Sequence, residues 1–235
     1  MHDSQSTIVE HEAHNPALVH QFADAQQQKN AASLGMWLFL ATEIMFFGGM
    51  FCAYLIYRLK YFNAFAAGSQ QLSIALGATN TAVLIISSVT VVLAVKAAEA
   101  GKRKLLVGYL LVTVLLGMTF LVIKGFEYKE KFEKHHVPGS TFNFTEKFDD
   151  NGKQIPVDAK QAELFFSLYF VMTGMHALHM IIGCGLFTGL AILAWKGHYS
   201  PAYFTPIENG GLYWHLVDII WIYLFPLLYL ISRHS

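Results

Sequence analysis

Long apolar runs alternate with short polar stretches along the chain. Five runs stay free, or almost free, of charged residues over about 20 residues or more, the length a helix needs to cross the hydrocarbon core of a bilayer. Their approximate limits are residues 33–57, 72–95, 105–123, 164–195 and 212–231. Backbone polar groups in lipid must bond to one another, so each run is predicted to be helical. The pattern predicts an all-α, polytopic membrane bundle with five transmembrane helices.

The polar stretches are too short for a second domain. Residues 1–32 lack the basic start and short apolar core of a secretory signal, so we predict a retained polar tail. This tail contains four histidines without tight ligand spacing, which favours a solvated terminus over a metal site. These are His2, His11, His14 and His20. The longest connection, residues 125–161, is predicted to be a helical extension followed by an exposed loop with a Pro-Gly turn.

Composition narrows the class of protein. Of the residues, 54% are hydrophobic and only 14% charged, whereas a soluble domain carries about a quarter charged. The 16 basic residues cancel the 16 acidic ones, so nothing favours nucleic-acid binding. The short link KAAEAGKRK is rich in lysine and arginine, which predicts a cytoplasmic link, a cytoplasmic N-terminus and, after five spans, a C-terminus on the other side.

Ionisable side chains inside the spans are costly and therefore mark candidate functional sites. Glu43 lies about ten residues into the first run, so a helix places it about 15 Å deep. His176 and His179 lie in the fourth run, where their spacing puts both imidazoles on one helix face. We expect Glu43 to hydrogen-bond to one of them. The open roles are a proton relay, a contact with a lipid headgroup or another subunit, and a neutral structural bond.

A second candidate pair opens the last run. His215 and Asp218 are three residues apart, so we expect them to share a hydrogen bond. A structural pair that anchors the helix is favoured over a catalytic one, and both residues join Glu43, His176 and His179 as candidate proton- or lipid-associated positions. The two imidazoles of the fourth run could ligate a metal or haem, but the spans offer no further ligand at matching depth, and we predict no metal site. Four residues beside the spans are predicted at the interface or lipid headgroups. These are Trp37, Arg58, Glu127 and Tyr128.

Five stretches, in order, carry a family resemblance that covers the chain from about residue 33 to its end. They are LFLATEIMFFGGMFCAY, TNTAVLIISSVTVVLA, LLGMTFLVIKGFEY, LFFSLYFVMTGMHALHMIIG and LYWHLVDIIWIYLFPLLY. They resemble subunit III of the haem-copper terminal oxidases, the cytochrome c oxidase subunit III family. Longer members have seven helices, and this chain looks like the five-helix bacterial form, without the first two. In the family, the position of Glu43 is the carbodiimide-reactive carboxyl.

The resemblance implies an accessory subunit of a proton-pumping oxidase in a bacterial plasma membrane. It implies no cofactor in this chain, haem and copper in partner subunits, and bound phospholipid. The implied partners are subunit I as the main contact, subunit II, and further subunits or a supercomplex. The implied role is to stabilise subunit I and support proton uptake.

Two alternatives remain open at the level of sequence. The chain could serve a quinol oxidase or a nitric oxide reductase as a subunit III-like partner. It could instead be a small proton-coupled transporter that uses Glu43 and His176 as a relay.

Overall fold

The predicted all-α architecture is confirmed. The computed structural model describes residues 24–139, 142, 144, 157–201 and 203–230. Within these residues the helices are α1 (Ala25–Lys60), α2 (Phe62–Gln70), α3 (Ile74–Glu99), α4 (Arg103–Glu133), α5 (Ala159–Lys196) and α6 (Thr205–Tyr229). All except α2 are long and apolar enough to cross a membrane, which agrees with the five predicted spans. The histidines of the N-terminal tail lie outside the described residues.

Several helices extend beyond the apolar runs that predict them. The tail was expected to reach residue 32, but α1 begins at Ala25, where the Asp24 side chain accepts a hydrogen bond from the Gln27 amide at 2.6 Å. Helix α4 continues past its predicted run to Glu133, and α6 begins at Thr205 rather than at residue 212. Hydropathy reports only the part of a helix in contact with lipid, whereas backbone hydrogen bonding continues through polar residues.

Among the described helices, only the short α2 was not predicted by hydropathy. Its nine residues, FNAFAAGSQ, are too few to span a membrane. It packs between α1 and α5, and the Phe65 ring lies against the rings of Tyr54 and Phe165 with centroid distances of 5.2 and 5.4 Å. Gly68 contributes to this packing, because a Cβ there would lie 2.3 Å from the Phe165 ring.

The spanning helices pack mostly against their neighbours in the chain. Helix α4 lies between α3 and α5, and α6 contacts both α3 and α5, so these four helices surround a common core. The indoles of Trp214 and Trp221 are fully buried there. Helix α1 joins this core mainly through α6, and much of its surface stays exposed. The side chain of Met45, for example, is 78% exposed.

The two ends of the bundle differ. One end, which we call the short-loop end, carries the turns at Gly101 and Gly197 and the beginnings of α1 and α6. A Cβ at Gly101 would approach Pro201, and one at Gly197 would approach Arg103, so the two turns lie side by side. The opposite end, which we call the α2 end, carries α2, the end of α4 and the beginning of α5. Lys131 on α4 donates there to the Gln71 carbonyl.

Candidate functional site

Glu43 reaches across from α1 to α5. Its Oε2 atom lies 3.1 Å from Nε2 of His179. The other ring nitrogen, Nδ1, lies 2.8 Å from the Met175 carbonyl oxygen, which can only accept, so Nδ1 must carry a proton. A hydrogen bond between Nε2 and the carboxyl then needs one further proton, carried either by the imidazole or by Glu43. A single proton shared between the two side chains would meet this need.

Neighbouring side chains pack around His179 but leave the pair partly exposed. The Tyr213 hydroxyl donates to the His179 carbonyl at 2.8 Å, and the Phe47 ring packs edge-on against the imidazole with centroids 5.4 Å apart. The Glu43 and His179 side chains nevertheless remain 18% and 13% exposed. A lipid or another subunit can thus reach the pair from the outer surface of the bundle.

His176, the other expected partner of Glu43, points into the core. Its imidazole is fully buried between the rings of Phe120 and Trp221, at centroid distances of 5.3 and 5.2 Å. Neither ring nitrogen has a hydrogen-bond partner among the described residues. The three-residue spacing separates the two imidazoles by about 60° around the helix, which is enough to send one to the core and the other to α1.

The expected hydrogen bond between His215 and Asp218 does not form. His215 turns towards α3, where its Nδ1 lies 2.7 Å from Oγ of Ser88. Asp218 is 3% exposed, and its carboxyl adjoins the same Ser88 hydroxyl without meeting the geometry of a hydrogen bond. Sequence spacing within α6 could not anticipate this, because the competing hydroxyl comes from another helix. Ser88 thus stands beside both groups.

Glu127, which was predicted at the interface, is buried inside the protein. It is 1% exposed, and its Oε2 atom lies 3.1 Å from Nζ of Lys124, one turn earlier on α4. Lys124 is 2% exposed and was not identified from the sequence, because the apolar run ends at residue 123. The sequence feature that could have identified Lys124 was its three-residue spacing from Glu127, which suits an ion pair on one helix face.

Two tyrosines complete this buried network, which we call the Lys124 network: Lys124, Glu127, Tyr169 and Tyr229. The two hydroxyls donate to Oε1 of Glu127, at 2.7 Å from Tyr169 and 2.5 Å from Tyr229. They also accept from the Lys124 ammonium, at 3.3 and 2.9 Å respectively. All three ammonium donors of Lys124 and both carboxylate oxygens of Glu127 therefore have hydrogen-bond partners. The opposite charges of the two residues cancel, so the network has no net charge. It joins α4, α5 and α6.

The Lys124 ammonium also lies among aromatic rings. The four ring centroids are 5.0 to 5.6 Å from Nζ, within the range of a cation–π interaction. The rings belong to Tyr128, Tyr169, Trp221 and Tyr229. Tyr128 is half-buried, and its hydroxyl bonds to Thr173 at 2.6 Å, so it too faces the bundle. By contrast, Trp37 is 59% exposed on α1, and Arg58 lies near the end of that helix.

A cleft opens at the short-loop end, between α1, α3 and α6. Its volume is about 530 Å³. The lining residues are Lys29, Ser33, Val92, Val95, Lys96, Glu99, Thr205, Glu208, Asn209, Gly211, Leu212 and His215. Lys29 and Glu208 form an ion pair at 3.6 Å across its mouth. No group of three or more His, Cys, Asp or Glu residues suited to a metal ion occurs in the described part of the chain.

Comparison with known proteins covers most of the chain. Residues 19–150 and 159–233 match the family described as Cytochrome c oxidase subunit III. The "Cytochrome c oxidase subunit 3" of Corynebacterium diphtheriae is 32% identical over 210 residues, which are 88% of this chain and 92% of the relative. The protein of the same name from Thermostichus vulcanus is 29% identical over 89% of this chain and 92% of its own length. That from Gallus gallus is 29% identical over 83% of this chain and 67% of the relative.

Proposed function

Because the chain belongs to the cytochrome c oxidase subunit III family, we propose that it is a non-catalytic membrane subunit of a haem-copper oxidase that reduces oxygen to water. It binds phospholipid, packs on subunit I, contacts subunit II, and supports proton uptake by the complex. The haem and copper are carried by the partner subunits. We place the N-terminus in the cytoplasm of a bacterium and the C-terminus outside its plasma membrane.

The observation that carries this role is the pair formed by Glu43 and His179. An acid and an imidazole that share one exchangeable proton are costly at this depth, unless the pair stays mutually satisfied. Their partial exposure lets a lipid headgroup or a group on subunit I exchange contacts with them. The exposed apolar surface of α1 around the pair supplies the contact area for acyl chains or neighbouring helices.

The test is a Glu43→Gln variant of the complex purified through a tag on this chain. The amide keeps a contact to His179 but cannot take up the shared proton. We expect intact assembly, unchanged haem and copper spectra, and most of the initial oxygen consumption, with a shorter activity lifetime during turnover. Glu133→Gln is the matched control, because its side chain is 66% exposed outside this region.

Three results would contradict the proposal. Loss of the haem or copper spectrum from an assembled Glu43→Gln complex would give this chain a direct part in cofactor binding. A different catalytic subunit in the mass spectrum of the purified complex, such as that of a nitric oxide reductase, would reassign the partner. Proton-coupled transport by the isolated chain in vesicles would establish a transporter.

A further inference from the structure

The cleft at the short-loop end opens sideways as well as at its mouth. Helices α1 and α3 both flank α6, but no Cα atom of α1 comes within 8 Å of one on α3 in the described residues. The cleft therefore has a floor on α6 and two separate walls. Because both walls are helices that can span the membrane, a gap between them would face the surrounding lipid. A molecule dissolved in the bilayer can enter it without passing through water.

The lining changes in character with depth. At the mouth stand two lysines and two glutamates, Lys29, Lys96, Glu99 and Glu208, whose charges sum to zero. Such a rim gives no net attraction to an anion or a cation. Further in, Val92 and Val95 on α3 face Leu212 on α6. These walls suit the apolar part of a ligand.

The inner end is polar again. His215 stands about 15 Å along α6 from Thr205 and is half-buried. Its Nδ1 is engaged by Ser88, whereas no described residue hydrogen-bonds to its Nε2. Asp218 lies one turn deeper beside the same hydroxyl. A plain acyl chain packed here would cover the imidazole without giving Nε2 a partner, which is unfavourable. The inner end thus suits a ligand with polar atoms well below the headgroup level.

We propose that this cleft binds an isoprenoid quinone or quinol, with one ring oxygen hydrogen-bonded to Nε2 of His215. The ligand is uncharged, which matches the neutral rim. Its ring places oxygen atoms at the inner end, and its tail leaves between α1 and α3 into the bilayer. The volume of about 530 Å³ lies within the usual range for small-molecule sites. The imidazole can serve either redox form, because Nε2 donates in one tautomer and accepts in the other. This site is separate from Glu43 and does not depend on the proposed function.

The experiment is photolabelling of the purified complex that contains the full chain. The probe is a photoreactive azidoquinone with a short isoprenoid tail, and the labelled peptides are mapped by mass spectrometry. We expect saturable labelling of residues 29–33, 92–99 and 205–215, and competition by the same quinone without the azide. The loss of one hydrogen bond in His215→Leu should weaken binding about 3- to 10-fold. His198→Leu, a histidine outside the cleft lining at the same end, should label like the unmodified chain.

A second variant keeps the test decisive if His215→Leu misfolds. Val92→Trp fills the cleft from α3, where the side chain is 42% exposed, and leaves His215 intact. It should abolish labelling while the subunit remains in the complex. The proposal is overturned if labelling is not saturable, if neither cleft variant reduces it, or if phosphatidylethanolamine displaces the probe and added quinone does not. The last result would show a lipid site.

Discussion

Removing the charge of Lys124 should destabilise the bundle strongly, and removing the opposing charge as well should restore much of that loss. In Lys124→Met the contacts from Nζ to Glu127, Tyr169 and Tyr229, at 3.1, 3.3 and 2.9 Å, all disappear. The Glu127 carboxylate then stays 1% exposed without a cation. Breaking a buried ion pair in this way costs about 3–5 kcal/mol.

The double variant separates charge pairing from packing. In Glu127→Gln alone, Lys124 becomes the unpaired charge, so a cost of about 3–5 kcal/mol is again expected. In Lys124→Met with Glu127→Gln, no charge remains, and the amide oxygen still accepts from both tyrosine hydroxyls. The remaining penalty is one unpaired amide NH2 group, about 1–3 kcal/mol. The double variant should therefore be more stable than either single variant.

The assay is unfolding of the full chain in mixed micelles by increasing dodecyl sulfate, followed by circular dichroism. Tryptophan fluorescence gives a second probe, to which Trp221, one of four tryptophans in the chain, contributes from 5.0 Å away from Nζ of Lys124. Lys129→Met is the control. The Lys129 side chain is 73% exposed and pairs with Glu133, so this substitution should change the stability by less than about 1 kcal/mol. Additive effects of the two buried substitutions, within about 0.5 kcal/mol, would refute the coupled network.

Two further predictions concern helix packing and the Ser88 contact. Gly117→Ala should cost about 1–3 kcal/mol in the same assay, because its Cβ would lie 2.8 Å from both Cys184 and Trp214. Gly189→Ala has nothing within 4 Å and should be neutral or stabilising, and equal losses at both positions would contradict the packing argument. Ser88→Ala removes the partner of His215 Nδ1 and should cost about 1 kcal/mol. Ser167→Ala, whose hydroxyl bonds only within its own helix, should cost less; the opposite order would count against an interhelical role for Ser88.

The five spans and the identity of several polar positions could be predicted from the sequence. Lipid solvates no backbone polar group, so an uncharged run of sufficient length has essentially one structure available, and its position can be read directly. The same reasoning located Glu43, His179 and Asp218, because an ionisable group within an apolar run is conspicuous. It missed Lys124 because that residue follows the run. A buried lysine at the end of an apolar run cannot be distinguished from an interfacial one by hydropathy.

Partners were decided only by the packing of helices against one another. Helical spacing put His176 and His179 on one face, but the position of α1 decides that His179 is the residue in contact with Glu43. Likewise, the position of α3 decides that His215 bonds to Ser88 rather than to Asp218. Glu127 is buried because Tyr169 and Tyr229 arrive from α5 and α6 with hydroxyls that satisfy it. A hydrogen bond between helices depends on their rotation and depth. Those quantities are set by the shapes of whole contact surfaces, which no local stretch of sequence contains.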